Sequence, residues 1–245
     1  MKSILITGCS SGFGLATARH FLDHGWNVIA TMRSPSPDLL PPSGRLRVLP
    51  LDVTDAQSIA RAVETAGPLD ALVNNAGIGA LGALEGMSLQ TVRELFETNT
   101  LGTIAMTQAV LPQLRQRGGV VVNVTSSVTL APFALLAAYT ASKAAVNAFT
   151  ESVALELEPF GVRVRLVLPG RAPATRFGEN ARPRMEGAIP EAYAAVAQKV
   201  FAGWRESTEV THAQDVAEAV WRAVTDPACP MRLPAGADAI ALSAS

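Results

Sequence analysis

The first 33 residues carry apolar runs and glycines in the order expected for a strand, a turn, a helix and a second strand. An apolar run at residues 4–6 has the length of a short buried strand, and a glycine-rich turn follows it. The residues that continue at helical spacing are Leu15, Ala18, Arg19 and Leu22. Gly25 then ends the helix before a second apolar run that includes Val28 and Ile29.

The turn contains Gly8, Gly12 and Gly14 in a GxxxGxG spacing. Glycines let a backbone turn tightly and approach a pyrophosphate, which the positive end of the following helix attracts. The spacing differs from the GxGxxG fingerprint, but strand, turn and helix come in the order that a dinucleotide site requires. We therefore predict a dinucleotide site, and the alternative is a turn that only reverses the chain.

The same turn satisfies a second motif, GxSxG at residues 8–12, with Ser10 in the nucleophile position. A serine hydrolase would then use His212, which is the only histidine late in the chain. The oxyanion loop of such hydrolases comes from an earlier strand, yet only seven residues precede Gly8. This position disfavours the hydrolase alternative.

A candidate proton-transfer pair lies in AAYTASKAA, where Tyr139 and Lys143 are four residues apart. On a helix this spacing places the phenol and the ammonium on one face. A neighbouring ammonium favours the phenolate, so we expect the pair to take a proton from a substrate, or give one to it, near neutral pH. Ser126 lies thirteen positions before the tyrosine. YxxxK alone is a weak signal, and it gains weight from the glycine turn at the other end of the chain.

With both features in view, the chain resembles the short-chain dehydrogenase/reductase family, and within it the branch of hydroxysteroid dehydrogenases and ketoreductases. The similar segments follow at the family's spacing: TGCSSGFG at 7–14, LDV at 51–53, NNAG at 74–77, ETNTLG around Asn99, NVTSS at 123–127, YTASK at 139–143 and Pro169-Gly170. The resemblance implies a Rossmann-type, doubly wound α/β fold of three layers, with about seven parallel strands and helices on both faces. It also implies one NAD(P)-binding domain over residues 1–245. A homodimer or homotetramer is expected, built on the helices after Gly86 and Pro132.

The resemblance implies an enzyme that interconverts a ketone or aldehyde and an alcohol by hydride transfer. Tyr139 would be the general acid or base, Ser126 would hydrogen-bond the substrate oxygen, and Lys143 would lower the pKa of Tyr139 and hold the nicotinamide ribose. Asn99 would keep a water beside the lysine. The residues expected at the cofactor are Gly8, Ser10, Ser11, Gly12, Phe13, Gly14, Arg33, Asp52, Val53, Asn75, Ala76, Gly77, Tyr139, Lys143, Pro169 and Gly170. The alternative is a sensor or scaffold that binds a dinucleotide without turnover.

The end of the second strand, Ala30-Thr31-Met32-Arg33, bears on the choice of cofactor. NAD enzymes place a carboxylate here to accept hydrogen bonds from the ribose. This sequence has no acid between residues 23 and 38, and Met32 stands where NAD-preferring relatives usually have aspartate. Arg33 offers a guanidinium suited to a 2′-phosphate. We predict NADP(H), with NAD(H) as the alternative if Arg33 is an ordinary solvated residue.

Composition and residue spacing argue against nucleic-acid binding, a metal site and a membrane span. The 245 residues carry a net charge of −1, which indicates neither a nucleic-acid surface nor a basic membrane patch. Cys9 and Cys229 lack metal or disulfide spacing, and His20 with His24 lacks the glutamate of a zinc motif, so no metal is expected. The uncharged stretch 118–142 contains too many polar residues for a membrane span. No signal-peptide pattern is evident, and a cytoplasmic location is expected.

The expected substrate loop covers about residues 171–211. Its apolar residues are expected to line a pocket: Phe177, Met185, Tyr193, Phe201 and Trp204. Its arginines are candidates for contact with an anionic group, although such residues are more often solvated: Arg171, Arg176, Arg182 and Arg184. The family places a threonine four residues after the turn glycine, but here that residue is Ala174 and Thr175 comes one later. The usual threonine contact to the nicotinamide amide is therefore left open, and so is the identity of the substrate.

Overall fold

A computed structural model describes residues 1–244, and for Pro37 the backbone only. Its strands form one parallel sheet: β1 (Ser3–Ile6), β2 (Asn27–Met32), β3 (Leu46–Pro50), β4 (Ala71–Asn74), β5 (Val120–Val124), β6 (Arg163–Pro169) and β7 (Arg232–Ala235). Their spatial order is β3-β2-β1-β4-β5-β6-β7. The strand order reverses between β1 and β4, which is the place where doubly wound sheets open a crevice for ligands. The prediction of a Rossmann-type sheet of about seven strands is confirmed.

The α-helices between and after these strands are α1 (Gly12–Asp23), α2 (Ala56–Ala66), α3 (Leu89–Phe96), α4 (Gly102–Arg117), α5 (Ala137–Leu157), α6 (Phe177–Ala181), α7 (Ala194–Glu206), α8 (Ala213–Thr225) and α9 (Ala237–Ser243). A π-helix, Glu97–Leu101, joins α3 to α4 without a break. Among the described helices, none is both long and apolar enough to cross a membrane. The uncharged stretch 118–142 forms β5, a loop and the start of α5.

The core has two sides because side chains alternate across each strand. Ile4 and Ile6 of β1 join the apolar cluster that includes α1 and α8. Leu5 between them points to the other face and joins the cluster formed with α2, α4 and α5. All three side chains are fully buried, which explains why residues 4–6 of β1 form an unbroken apolar run rather than an alternating pattern. The sheet is therefore covered by helices on both faces, as predicted.

A buried polar network fixes the carboxyl ends of β4 and β5 to the helices behind them. The amide of Asn74 donates to the side chain of Asn123 at 2.9 Å and to the hydroxyl of Thr107 in α4 at 3.0 Å. Asn123 in turn donates to Thr150 of α5 at 2.8 Å. Hydrogen-bonded polar groups in a low-dielectric core specify one arrangement, because leaving any of them unpaired is costly. These strand ends carry the residues of the candidate site.

Candidate active site

The glycine turn needs its glycines for two reasons. Gly8 and Gly12 have φ of +75° and +56°, a conformation that residues with a Cβ rarely adopt. A Cβ on Gly8 would also come within 2.8 Å of the Ala76 Cα. A Cβ on Gly14 would overlap the Gly8 carbonyl oxygen and the Asn75 side chain, so this glycine lets α1 pack closely on the turn.

A cavity of about 2510 Å³ opens over the turn and the carboxyl ends of the central strands. The predicted site residues on its wall are Gly8, Ser10, Ser11, Gly12, Phe13, Arg33, Asp52, Val53, Asn75, Ala76, Gly77, Ser126, Tyr139, Lys143, Pro169 and Gly170. Two predicted residues, Gly14 and Asn99, do not line it. Gly14 packs against the Gly8 carbonyl and the Asn75 side chain, and its contact with the cofactor stays a prediction.

Ser126, Tyr139 and Lys143 meet on one wall of this cavity, although Ser126 belongs to the loop after β5 and the other two to α5. All three are buried, with 7%, 8% and 5% of their surface exposed. Burial raises the pKa of Tyr139 to about 12, and a hydrogen bond with Ser126 opposes this increase. Burial also lowers the pKa of Lys143 to about 8. The Lys143 ammonium donates to the Val124 carbonyl at 3.1 Å.

These pKa shifts bear on one expectation. The net shift of the Tyr139 pKa is upward, and a hydrogen bond with Ser126 opposes it; that Lys143 lowers the pKa of Tyr139 stays a prediction. The physical reason is that desolvation of a buried phenolate outweighs nearby favourable interactions. Among the causes of the shift, Ser126 is the group that hydrogen-bonds the Tyr139 hydroxyl.

Asn99 lies behind the cavity wall, within the π-helix. Its side chain accepts from the Ile78 N–H at 2.8 Å and donates to the Ile78 carbonyl and the Ser142 hydroxyl, both at 3.0 Å. A Cβ on Gly77 would lie 3.2 Å from Asn99 Oδ1 and 3.3 Å from Lys143 Nζ. The amide and the ammonium therefore flank the same glycine. That Asn99 keeps a water beside Lys143 stays a prediction.

The opposite end of the cavity carries the residues that bear on cofactor choice. Asp52 accepts from the N–H of Thr54 at 2.9 Å and from its hydroxyl at 2.7 Å. These two hydrogen bonds lower the pKa of Asp52, burial opposes them, and the charge of Arg33 lowers it further. Arg33 is exposed, whereas Met32 is buried with 3% of its surface exposed. Arg33, the only cation that the sequence predicted at this end, is therefore accessible to a ligand from solvent. The Asp52 carboxylate lies near it.

The substrate side is partly as predicted. Phe177 packs near Tyr139, with ring centroids 6.0 Å apart, and covers Gly79 so closely that a Cβ there would come within 2.7 Å of the ring. Met185 and Trp204 also line the cavity, but Tyr193 and Phe201 do not. The Tyr193 hydroxyl instead donates to Glu85 at 2.9 Å, and Phe201 packs against Trp204 with centroids 5.8 Å apart.

All four predicted arginines line the cavity: Arg171, Arg176, Arg182 and Arg184. Arg184 pairs with Glu94 at 3.4 Å and Arg176 pairs with Glu179 at 3.8 Å. Thr175 lies next to the glycine turn, where a Cβ on Gly12 would be 3.4 Å from the Thr175 Cβ, and its hydroxyl donates to the Ala172 carbonyl at 2.8 Å. Thr175 comes one residue later than the family pattern expects, so the sequence alone did not place it beside Gly12.

Features outside this constellation have structural explanations. No histidine side chain in the described part of the chain hydrogen-bonds to Ser10. His212 stands at the start of α8, where its backbone N–H donates to Asp215 at 2.8 Å, and it does not line the cavity that Ser10 lines. Within the described residues, no Ser–His pair therefore supports the hydrolase alternative. His20 and His24 stack at 4.3 Å beside Trp221, and within residues 1–244 no group of three potential metal ligands was found.

Comparison with known proteins identifies the class. The model of the short chain dehydrogenase family matches residues 2–186, and the chain belongs to that family of oxidoreductases. A solved structure of a short-chain dehydrogenase from Streptomyces avermitilis is 34% identical with a TM-score of 0.83, and the match covers 99% of this chain and 90% of that one.

Two curated relatives of this chain are named as reductases. A 3-ketodihydrosphingosine reductase from Bacteroides thetaiotaomicron is 41% identical over 172 residues, which are 68% of this chain and 62% of the relative. An NADPH-dependent 1-acyldihydroxyacetone phosphate reductase from Schizosaccharomyces pombe is 39% identical over 198 residues, which are 78% of this chain and 66% of the relative. The chain thus spans somewhat less than two thirds of the length of these relatives.

Similar solved structures hold both forms of the cofactor. A short chain dehydrogenase from Burkholderia cenocepacia, 26% identical with a TM-score of 0.78, was solved with NADP, and the match covers 100% of this chain and 93% of that one. A 3-ketoacyl-(acyl-carrier-protein) reductase from Brucella melitensis, 25% identical with a TM-score of 0.78, was solved with NADH, with coverage of 95% and 96%. A nicotinamide dinucleotide is therefore supported as the cofactor class.

Proposed function

We propose that this chain is an NADP(H)-dependent oxidoreductase that interconverts a ketone or aldehyde and an alcohol, with Tyr139 as the general acid or base. One observation carries the proposal: Ser126, Tyr139 and Lys143 lie together on the wall of the cavity that the glycine turn also lines. Any one of these residues has an ordinary structural explanation. Their convergence beside a dinucleotide-type turn is what a hydride-transfer site requires.

The residues of the turn fit a dinucleotide. Gly8 and Gly12 permit the positive φ of the turn and place no Cβ at these two positions, and the N-terminus of α1 would present its backbone N–H groups to a pyrophosphate. When bound, the nicotinamide donates a hydride to the substrate or accepts one from it. Lys143 would hold the nicotinamide ribose, and the Pro169–Gly170 turn would form the wall beside it.

The buried phenol of Tyr139 supplies the proton. A pKa of about 12 keeps it protonated at neutral pH, so it can donate to the alkoxide that forms from a carbonyl. Ser126 hydrogen-bonds both the phenol and the same substrate oxygen, which stabilises the developing negative charge. Lys143 is buried on the same helix, α5, and its positive charge would stabilise the phenolate that remains.

Preference for NADP(H) rests on Arg33. Its exposed guanidinium follows the last residue of β2, where Met32 offers no carboxylate to repel a 2′-phosphate. The relative from S. pombe is named as NADPH-dependent, which agrees with this choice. The nearby carboxylate of Asp52 competes for Arg33, and NAD(H) is the alternative.

The substrate proposed for this site has an apolar body. Phe177, Met185 and Trp204 supply apolar walls of the cavity that Tyr139 also lines, and the Bacteroides relative is named as a 3-ketodihydrosphingosine reductase. We further propose that residues 1–245 act as one domain. A cytoplasmic homodimer or homotetramer is the proposed form.

The test is consumption of NADPH, followed by absorbance, with a panel of ketones, quinones, aldehydes and steroids. Reduction of at least one apolar ketone by the wild type, and its loss in Tyr139→Phe, would support the proposal. Binding of NADPH without turnover of any panel member would instead support a sensor or scaffold. Faster turnover with NADH than with NADPH would contradict the cofactor assignment.

A further inference from the structure

A carboxylate from the C-terminal helix lies against the turn that follows β6. Asp238, in the first turn of α9, accepts from the backbone N–H of Arg171 at 2.6 Å. Its other oxygen lies 2.7 Å from the Thr211 hydroxyl and accepts from the Ala239 N–H at 2.9 Å. Asp238 also lines the cavity. A side chain 67 residues away in sequence thus ends on the backbone of the candidate site.

Thr211 extends this contact to the preceding residue of the turn. Its hydroxyl, in a side chain only 1% exposed, accepts from the N–H of Gly170 at 2.9 Å. The same oxygen lies 2.9 Å from the Ala235 carbonyl at the end of β7. Because a hydroxyl has one proton, it donates either to this carbonyl or to Asp238. Thr211 and Asp238 therefore accept from two consecutive N–H groups of the turn, and the Gly170 N–H also lies 3.4 Å from the Ala235 carbonyl.

The 169–171 turn, Thr211 and the start of α9 pack closely against one another. A Cβ on Gly170 would overlap the Asp238 carboxylate, and a Cβ on Gly236 would overlap the Thr211 hydroxyl. Gly236 has a φ of +94°, which a residue with a Cβ would resist. The Asp238 carboxylate therefore packs directly against Gly170 of the turn, and the Thr211 hydroxyl packs against Gly236 before α9.

This turn is part of the cavity wall. Pro169, Gly170 and Arg171 line the cavity together with Tyr139 and Lys143. We propose that Asp238, acting with Thr211, is a positioning residue that holds the 169–171 turn against the bound dinucleotide and so sets the affinity for the cofactor. The inference rests on the proposed function, because it needs a dinucleotide in this cavity.

The experiment measures the Kd for NADPH by fluorescence titration, at a temperature well below the melting temperature of each variant. We expect Asp238→Ala and Thr211→Val to bind NADPH about tenfold more weakly, because each removes a partner of the turn, and tenfold corresponds to about 1.4 kcal/mol. Thr211→Ser keeps the hydroxyl and should bind like the wild type. Ile240→Ala is the matched control, because this residue of the same helix is 57% exposed and does not line the cavity.

The outcomes separate positioning from stability. A lower melting temperature with an unchanged Kd in both Asp238→Ala and Thr211→Val would show that the contacts only stabilise the fold, and would overturn the inference. Equal weakening in Thr211→Ser or Ile240→Ala would overturn it as well. If Asp238→Ala does not fold, Thr211→Val tests the same turn. Failure of the wild type to bind NADPH or NADH would instead overturn the proposed function.

Discussion

Replacing Lys143 with methionine tests whether burial of the Lys143 ammonium destabilises the folded protein. Lys143 is 5% exposed, and burial lowers its pKa from 10.5 to about 8. Between these two values the unfolded chain binds more protons than the folded chain, so the free energy of unfolding rises with pH. Below pH 8 the folded protein bears the full cost of a buried ammonium. Methionine has similar length and no proton, so it removes this pH dependence.

The magnitude follows from the two pKa values. The full shift is worth roughly 3 kcal/mol, at about 1.4 kcal/mol for each pH unit. From pH 7 to pH 9.5, the titration of a group at 8 in the folded chain and 10.5 in the unfolded chain contributes about 2 kcal/mol. The raised pKa of Tyr139 acts in the opposite direction above pH 10, where the folded chain binds more protons. The pH range therefore stops at 9.5.

The assay is urea denaturation of cofactor-free protein at half-unit pH steps, for wild type and Lys143→Met. Stability of the wild type should increase relative to the variant by about 2 kcal/mol across the range. Lys199→Met, at an exposed position, is the control and should follow the wild type at every pH. A wild-type-to-variant difference that stays constant within about 0.5 kcal/mol would refute the inference that Lys143 is a destabilised buried cation, since the expected change is four times larger.

Three further predictions concern the reaction. Tyr139→Phe should lower kcat/KM at least about a hundredfold while the Kd for NADPH changes less than about twofold, because only the proton donor is lost; steady-state rates above a tenth of wild type would contradict this. Arg33→Ala should reduce the ratio of kcat/KM for NADPH over NADH by about tenfold or more, since a charge-assisted contact is worth about 1.5–3 kcal/mol. The effect should shrink at high salt, and Arg61→Ala, an exposed arginine on α2, should leave the ratio unchanged. Phe177→Ala should raise KM about tenfold for bulky apolar ketones and little for acetone-sized ones, since the ring lines the cavity with its centroid 6.0 Å from that of Tyr139. Equal changes for both would show that Phe177 does not contact substrate.

The elements that sequence predicted well are those set by neighbours along the chain. The glycine turn requires positive φ at Gly8 and Gly12, and the residues that permit it are in the turn itself. Tyr139 and Lys143 share a helix, so their spacing alone places them on one face. The positions of Met32 and Arg33 depend only on where a single strand, β2, ends. Such features need no knowledge of the tertiary fold.

The features that sequence missed depend on distant contacts. On α7, the residues that line the cavity recur every three or four positions: Val196, Lys199, Val200, Gly203 and Trp204. Phe201 lies off this face, but only a correct helix assignment and its orientation could show that. The contact of Asp238 with Arg171 spans 67 residues and belongs to no motif. The pKa of Tyr139 depends on how completely the surrounding elements exclude water, which no local pattern contains.

The opposite pKa shifts of Tyr139 and Lys143 have one cause and one consequence for the proposed reaction. Burial favours the neutral form of each group, so the phenol keeps its proton and the lysine gives its proton up more easily. A protonated phenol suits carbonyl reduction, because the alkoxide that it must neutralise is a far stronger base than a phenolate. Alcohol oxidation requires the phenolate instead, so that direction depends on positive charge reaching the phenol from Lys143 or from an oxidised nicotinamide. In the proposed function, the protonated phenol therefore fits carbonyl reduction, and alcohol oxidation would depend on the charge of Lys143 or of the oxidised nicotinamide.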